Sequence, residues 1–326
     1  MHNKQTKVVL FPKWKDTLEE ESLIALKEKR YHEALEKLEK LISYNINNHE
    51  IVIGKLICLM ELDRYDEAQK LCEDLMKNND ENYYHYVHIY LTILFQTNQY
   101  SLLMEQVEYE FAQPGIPEMI REQFQQLYDM SYNMNSELKT EKSVQYINEL
   151  WKAVKAENHV HQWSLVEKLR KISAVPVASV KKLLVNDKIH PVVKTAIFAW
   201  MQEVDVSESI EIQKFDIYMS VIPNATTPLN MHPAMKRTML FISDLEQRNP
   251  SLYKLVEKLL YRYCYVRYPI MPAEKDIAAL ADALIIIGEE NMKIHTENKK
   301  KTDEKRNHFV EEVQLCEALY LTVLEA

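Results

Sequence analysis

The phrase RYHEA, from Arg30 to Ala34, returns as RYDEA, from Arg64 to Ala68, with one letter changed. Tyr31 and Tyr65 stand 34 residues apart, and Tyr100 follows after 35 more. Each tyrosine closes the same pattern: an apolar helical stretch, a short polar turn, then the ring, as in LIALKEKRY, ICLMELDRY and TILFQTNQY. A second amphipathic stretch follows each one: HEALEKLEKLI, DEAQKLCEDLM and SLLMEQVEYEF. Apolar residues recur there at helical spacing, as in Ala34, Leu38 and Leu41, then Ala68, Leu71 and Leu75. A helical hairpin has one apolar stripe that it cannot bury alone. A fixed period lets neighbouring hairpins stack, and this constrains the chain to a helical array.

Composition agrees. The 326 residues hold three glycines, Gly54, Gly115 and Gly288, and no two lie within one loop. Dinucleotide- and phosphate-binding loops need several close glycines for the backbone to approach a phosphate, so that chemistry is excluded, and glycine-rich all-β folds are disfavoured. The net charge of −9 gives no global basic field for nucleic acid or an anionic membrane. Cys58, Cys72, Cys264 and Cys316 form no C-x-x-C pair and sit in apolar helical patterns, so they read as reduced, buried side chains. The apolar run Val8 to Phe11 is too short for a signal or a membrane span. The stretch IAALADALIIIG is broken by Asp282 and reads as a buried helix. The expectation is a soluble, cytoplasmic protein.

The 34-residue helix pair resembles the tetratricopeptide repeat (TPR), over roughly Leu18 to Gly115, and Thr17 with Glu20 suggests a capping box at its start. The resemblance implies that Tyr31, Ala34, Tyr65, Ala68, Tyr100 and Leu103 pack one hairpin on the next. The match departs from the family in places. Ser22 is the small residue expected midway along the first helix, but Leu56 and Leu91 occupy the later equivalents, and Leu103 stands where alanine is expected. In this family the first helix of each pair lines a concave groove. That implies a partner-binding surface of Glu19 and Leu23, then Glu50, Ile53 and Ile57, then His85, His88 and Thr92. Relatives that clamp acidic chaperone tails use Lys, Arg and Asn there. Glu19, Leu23, Gly54, His85 and Ile89 fill those places here, so a basic or mixed apolar peptide suits the groove better.

Beyond Pro117 the period is lost while helical patterning continues, near 118–134, 141–157, 160–172, 177–186 and 191–203. HPVVKTAIFAWMQEV loosely resembles a HEAT-type helix. Residues 209–222 alternate apolar and polar, with Ile210, Ile212, Ile217, Met219 and Val221 in phase, which predicts a small β-hairpin. Helices resume near 233–248, 251–267, 273–295 and 306–325. The expected fold is all-α, with TPR hairpins continuing into an α-solenoid or bundle and one β-hairpin insertion. Its segments are 1–16, an N-terminal stretch; 17–115, the array; 116–205, irregular helices; 206–228, hairpin and loop; and 229–326, C-terminal helices. The layout, and NPSLYKLVEKLLYRYCYVRYP in particular, resembles a group of TPR proteins from Bacillus-type bacteria, which implies the same repeats and no particular activity.

No catalytic residue emerges. G-x-S-x-G, H-E-x-x-H and cysteine–histidine signatures are missing, and acidic runs such as Glu19 to Glu21 read as solvated faces. His85 with His88, and His159 with His161, lack the further ligands a metal needs, so neither metal nor cofactor is expected. The reading is a non-enzymatic adaptor that binds another protein or peptide in the groove. Two alternatives stand beside it. The first is an RNA-binding helical-repeat protein: Arg262 and Arg267 would contact phosphates from the tyrosine-rich helix YRYCYVRYP, on which Tyr261, Tyr265 and Tyr268 share one face and otherwise read as a buried stripe. The second is a TPR-type peptide-sensing regulator. Relatives of that kind carry an effector module before the repeats, and repeats beginning near Leu18 leave it little room.

Overall fold

The computed structural model describes residues 12–294 and 304–325. The Val8–Phe11 run and the lysine run at 299–301 lie outside the described residues. The described chain is all-α apart from one two-stranded sheet, and it divides into two compact units, Met1–Leu138 and Lys139–Ala326.

The first unit is a run of antiparallel helix pairs. It comprises α1 (Pro12–Lys27), α2 (Tyr31–Ser43), α3 (His49–Glu61), α4 (Tyr65–Met76), α5 (Tyr83–Gln96), α6 (Tyr100–Ala112) and the first half of α7 (Glu118–Lys155). From α1 to α6 each helix packs on the next in sequence, and α7 meets α6 where Arg121 lies over the Phe111 ring. Ala34, Ala68 and Leu103 are fully buried at equivalent places on α2, α4 and α6, opposite Ala25, Leu59 and Leu94 of α1, α3 and α5. Gly54 serves close approach: a Cβ there would lie 3.3 Å from both Leu26 and Leu38.

The turn inside each pair is made the same way three times. Lys29, Asp63 and Asn98 adopt left-handed backbones (φ 58°, 56° and 57°). The amide that follows each one reaches back five residues: Arg30 to the carbonyl of Ala25, Arg64 to Leu59 and Gln99 to Leu94, all at 2.8 Å. The residue itself bonds back to Leu26, Met60 and Phe95. This is the Schellman closure, built without glycine, which satisfies helix-end carbonyls that would otherwise be orphaned in the core. One expectation is corrected. Helix α1 starts at Pro12, so Thr17 lies inside it and donates to the carbonyl of Lys13 at 2.8 Å instead of capping. A second is corrected at α7. Where two helices are expected, one 38-residue helix runs through, because NSELKT at 135–140 contains no proline or glycine to stop it.

The second unit holds the rest of α7, then α8 (His159–Lys171), the single turn α9 (Ala178–Lys181) and α10 (Pro191–Glu203). The hairpin β1 (Ile210–Lys214) and β2 (Ile217–Val221) follows. Next come α11 (Pro233–Ile242), α12 (Asp244–Arg248), α13 (Pro250–Arg267), α14 (Ile277–Asn291) and α15 (Glu304–Leu324). Helix α10 is buried continuously from Val192 to Phe198 and is the central rod of the unit. Two starts use the same device. His190 and His232 stand at the N-caps of α10 and α11, each followed by proline, and each Nδ1 accepts from the backbone two residues on, Val192 at 3.3 Å and Ala234 at 3.2 Å.

The hairpin pairs Ile210 with Val221 and Lys214 with Ile217, across a two-residue turn in which Phe215 and Asp216 both have positive φ. Strand β1 buries Ile210, Ile212 and Lys214, while Ile217 to Ser220 of β2 are exposed. Lys214 is 2% exposed. Its Nζ donates to Thr195 Oγ1 at 2.5 Å and to the carbonyls of Val266 and Tyr268 at 2.9 and 2.6 Å, tying the hairpin to the C-terminal end of α13. Burial first, then the nearby Lys194, pushes its amino group well below the usual lysine range.

Candidate partner-binding groove

The candidate surface lies on the first helix of each pair. On α1, Leu23 is 51% exposed, and Glu19 is half-buried, with Lys15 Nζ 3.5 Å away. On α3, Glu50, Ile53 and Ile57 follow at i, i+3 and i+7, one helical face. Ile53 is half-buried against the core, Glu50 is exposed and Ile57 is 42% exposed. On α5, His85, His88 and Thr92 repeat that spacing, with His85 exposed and the other two half-buried. Thr92 Oγ1 donates to the carbonyl of His88 at 2.8 Å.

Packing brings a further imidazole to this face. His49, the first residue of α3, places Nε2 3.0 Å from His85 Nδ1 and Nδ1 3.0 Å from the Tyr86 hydroxyl. Helix α3 is thus joined to α5 through His49. His88 stacks at 6.5 Å on the buried Phe124 of α7, so the start of α7 continues the line of first helices. Burial, then His49, then His88 lower the pKa of His85. Sequence reasoning picked out His85 and His88 and passed over His49 and Phe124. The signal for His49 was its place at the start of the second pair, where His85 stands near the start of the third.

Nothing in this face resembles catalytic machinery. The four cysteines are free and buried, and desolvation raises all four thiols, Cys58 to about 11 and Cys72 to about 12. Among the described residues no group of three or more His, Cys, Asp or Glu is placed to hold a metal ion.

The two arginines offered as phosphate contacts turn inward. Arg262 is 6% exposed and pairs with Glu317 of α15 and with Glu325 just beyond its end, at 2.5 and 2.7 Å. Arg267 is 8% exposed and pairs with Glu312 at 2.7 Å. A guanidinium held inside the bundle by carboxylates is not presented to a nucleic-acid backbone. The tyrosine stripe is also revised. Tyr263 is fully buried, while Tyr261 keeps an exposed ring; Tyr265 accepts from the Trp163 indole at 3.2 Å, and Tyr268 is buried, donating to Gln202 at 2.7 Å.

Residues 25–88, from α1 to the His88 turn of α5, match the family model for the tetratricopeptide repeat. Over these residues the chain is similar to tetratricopeptide repeats. The whole chain is also similar to TPR repeat-containing protein YsoA of Bacillus subtilis (strain 168), with 28% identity over 303 residues, covering 91% of this chain and 90% of that one. An alignment of that length takes in both units, so the likeness extends well past the TPR array. No helix among the described residues is long and apolar enough to cross a membrane.

Proposed function

We propose that the TPR array is the working surface of a non-enzymatic adaptor that holds an extended or helical protein segment against α1, α3 and α5. The observation that carries this reading is that Leu23 and Ile57, 34 residues apart on the first helices α1 and α3, are both exposed. Large apolar side chains left on that face gain by covering from a partner, at about 25 cal/mol per Å² of apolar area removed from water. Glu19 and Glu50 supply negative charge and the imidazoles supply hydrogen bonds, so a basic or mixed apolar segment suits the face and an acidic tail does not.

Affinity capture from the native cytoplasm with the full chain, with and without nuclease, tests this reading. A protein partner that survives nuclease treatment is expected. Recovery that depends on intact nucleic acid contradicts the adaptor.

A further inference from the structure

Unit two contains a cavity of about 820 Å³ that the adaptor reading does not use. It opens between the β1–β2 turn, the end of α13, the loop at 270–276 and one stripe of α15. That volume lies in the range of small-molecule sites. The floor is buried: Tyr263, Arg267 and Phe309 line it and are 0%, 8% and 7% exposed. The mouth presents apolar side chains among charged ones, with Ile217 41% and Leu315 48% exposed.

Charge defines what fits. Arg267 lies over the Phe215 ring at 5.2 Å and gives Nη1 to Glu312, yet its Nε is buried with no hydrogen-bond partner. Glu312 is already engaged on both oxygens, by Arg267 and by the Tyr263 hydroxyl at 3.1 Å. The guanidinium therefore has unmet donor capacity at Nε in a buried floor, where a second carboxylate is the complementary group. The wall carries exposed charges of both signs, the carboxylates Asp216 and Glu311 and the ammonium groups of Lys275 and Lys305, the last 3.1 Å from Asp276. A plain anion would leave Asp216 and Glu311 without a counter-charge. A molecule with a carboxylate at one end, an ammonium at the other and apolar side chains between has a partner for Arg267, for these two carboxylates and for the apolar lining.

We propose that this cavity is a binding site for a short apolar peptide of about two to four residues, the size its volume admits. The peptide enters carboxylate first, onto Arg267. Its side chains lie against Phe215, Phe309 and Leu315, and its amino group remains near Asp216 and Glu311.

Isothermal titration calorimetry on the full chain tests the proposal, with Leu-Phe-Leu, its C-terminal amide, its N-acetyl form and octanoate as probes. Saturable binding of Leu-Phe-Leu is expected. Amidation should weaken it by about tenfold or more, the usual cost of a lost charge-assisted hydrogen bond. The N-acetyl form should bind more weakly than the free peptide. Leu315→Glu, on an exposed side chain, should abolish binding while the CD spectrum is unchanged, and Arg267→Lys should erase the preference for the free carboxylate. If Arg267→Lys fails to fold, the amide and Leu315→Glu arms decide. Leu23→Glu with Ile57→Glu, in the other unit, should leave binding unaltered. No saturable heat for Leu-Phe-Leu at millimolar concentration, equal binding of peptide and amide, or octanoate binding as tightly as the peptide overturns the proposal.

Discussion

His49 Nε2 lies 3.0 Å from His85 Nδ1, and the opposite nitrogen of the same His49 ring lies 3.0 Å from the Tyr86 hydroxyl. A neutral imidazole offers one donor and one acceptor, so a neutral pair satisfies this chain of contacts. Two cationic rings would place N–H against N–H and break it.

The pair makes the α3–α5 junction sensitive to acid. The folded pKa of His85 is lowered, so protons bind the unfolded chain better. Stability contributed by the neutral ring is whole above the ordinary value of about 6.5 and is lost as pH falls below it. Amide exchange in α3 and α5, corrected for intrinsic rates, should therefore accelerate between about pH 7 and pH 5. His85→Gln should remove the acceleration; an unchanged profile in that variant would refute the assignment.

The second unit should have its own acid limb, from the two histidine caps. A protonated imidazole cannot accept from the Val192 or Ala234 amide, and a cation at a helix N-terminus opposes the macrodipole. Burial, then His159 and Lys214, lowers the pKa of His190 to about 4, and burial lowers that of His232. The stability these caps contribute is complete above about 6.5 and drains as pH falls toward His190's folded value. Asparagine caps a helix without titrating. His190→Asn with His232→Asn should flatten the fall in urea midpoint between pH 6.5 and 4; a parallel fall would exclude the caps as its source.

The left-handed turn residues are sites for stabilisation. An L-residue there costs roughly 1–2 kcal/mol that glycine does not incur, partly offset by glycine's unfolded-state entropy. Lys29→Gly and Asp63→Gly should each raise stability by roughly 0.5–1 kcal/mol in chemical denaturation. Asn98→Gly should gain less, because asparagine tolerates this conformation. Destabilisation by Lys29→Gly would mean that its side chain contributes more than its backbone loses.

These turns show how far the sequence could be read. The period and the buried alanines follow from spacing, so the first unit was legible; so was the hairpin, although its in-phase residues are buried on β1 and exposed at Ile217 and Met219 of β2. The closures were not, because glycine is the usual sign of a left-handed helix end and Lys29, Asp63, Glu157 and Ser173 stand there instead. Arg262 and Arg267 could be offered as phosphate contacts because their acidic partners lie about 50 residues downstream, on α15 and just past its end, from Glu312 to Glu325. The helical face that is buried depends on that long-range packing, which no local window contains. His49 was missed for a similar reason, since its role depends on a neighbour 36 residues away.

Lys214 should prove structural. Replacing it with methionine keeps much of the volume and removes all three donors, leaving the carbonyls of Val266 and Tyr268 without this partner at the end of α13. A loss of about 2–4 kcal/mol in unfolding free energy is expected. A loss within experimental error would show that the buried amine contributes little to holding the hairpin against α13.

The claim that the TPR groove holds a protein partner is tested most directly by Leu23→Glu combined with Ile57→Glu. Both side chains are exposed, so the far-UV CD spectrum and the melting midpoint should stay close to wild type. Capture of the wild-type partner from lysate, quantified side by side, should fall by tenfold or more in the double variant. Undiminished capture by this folded variant would contradict the groove.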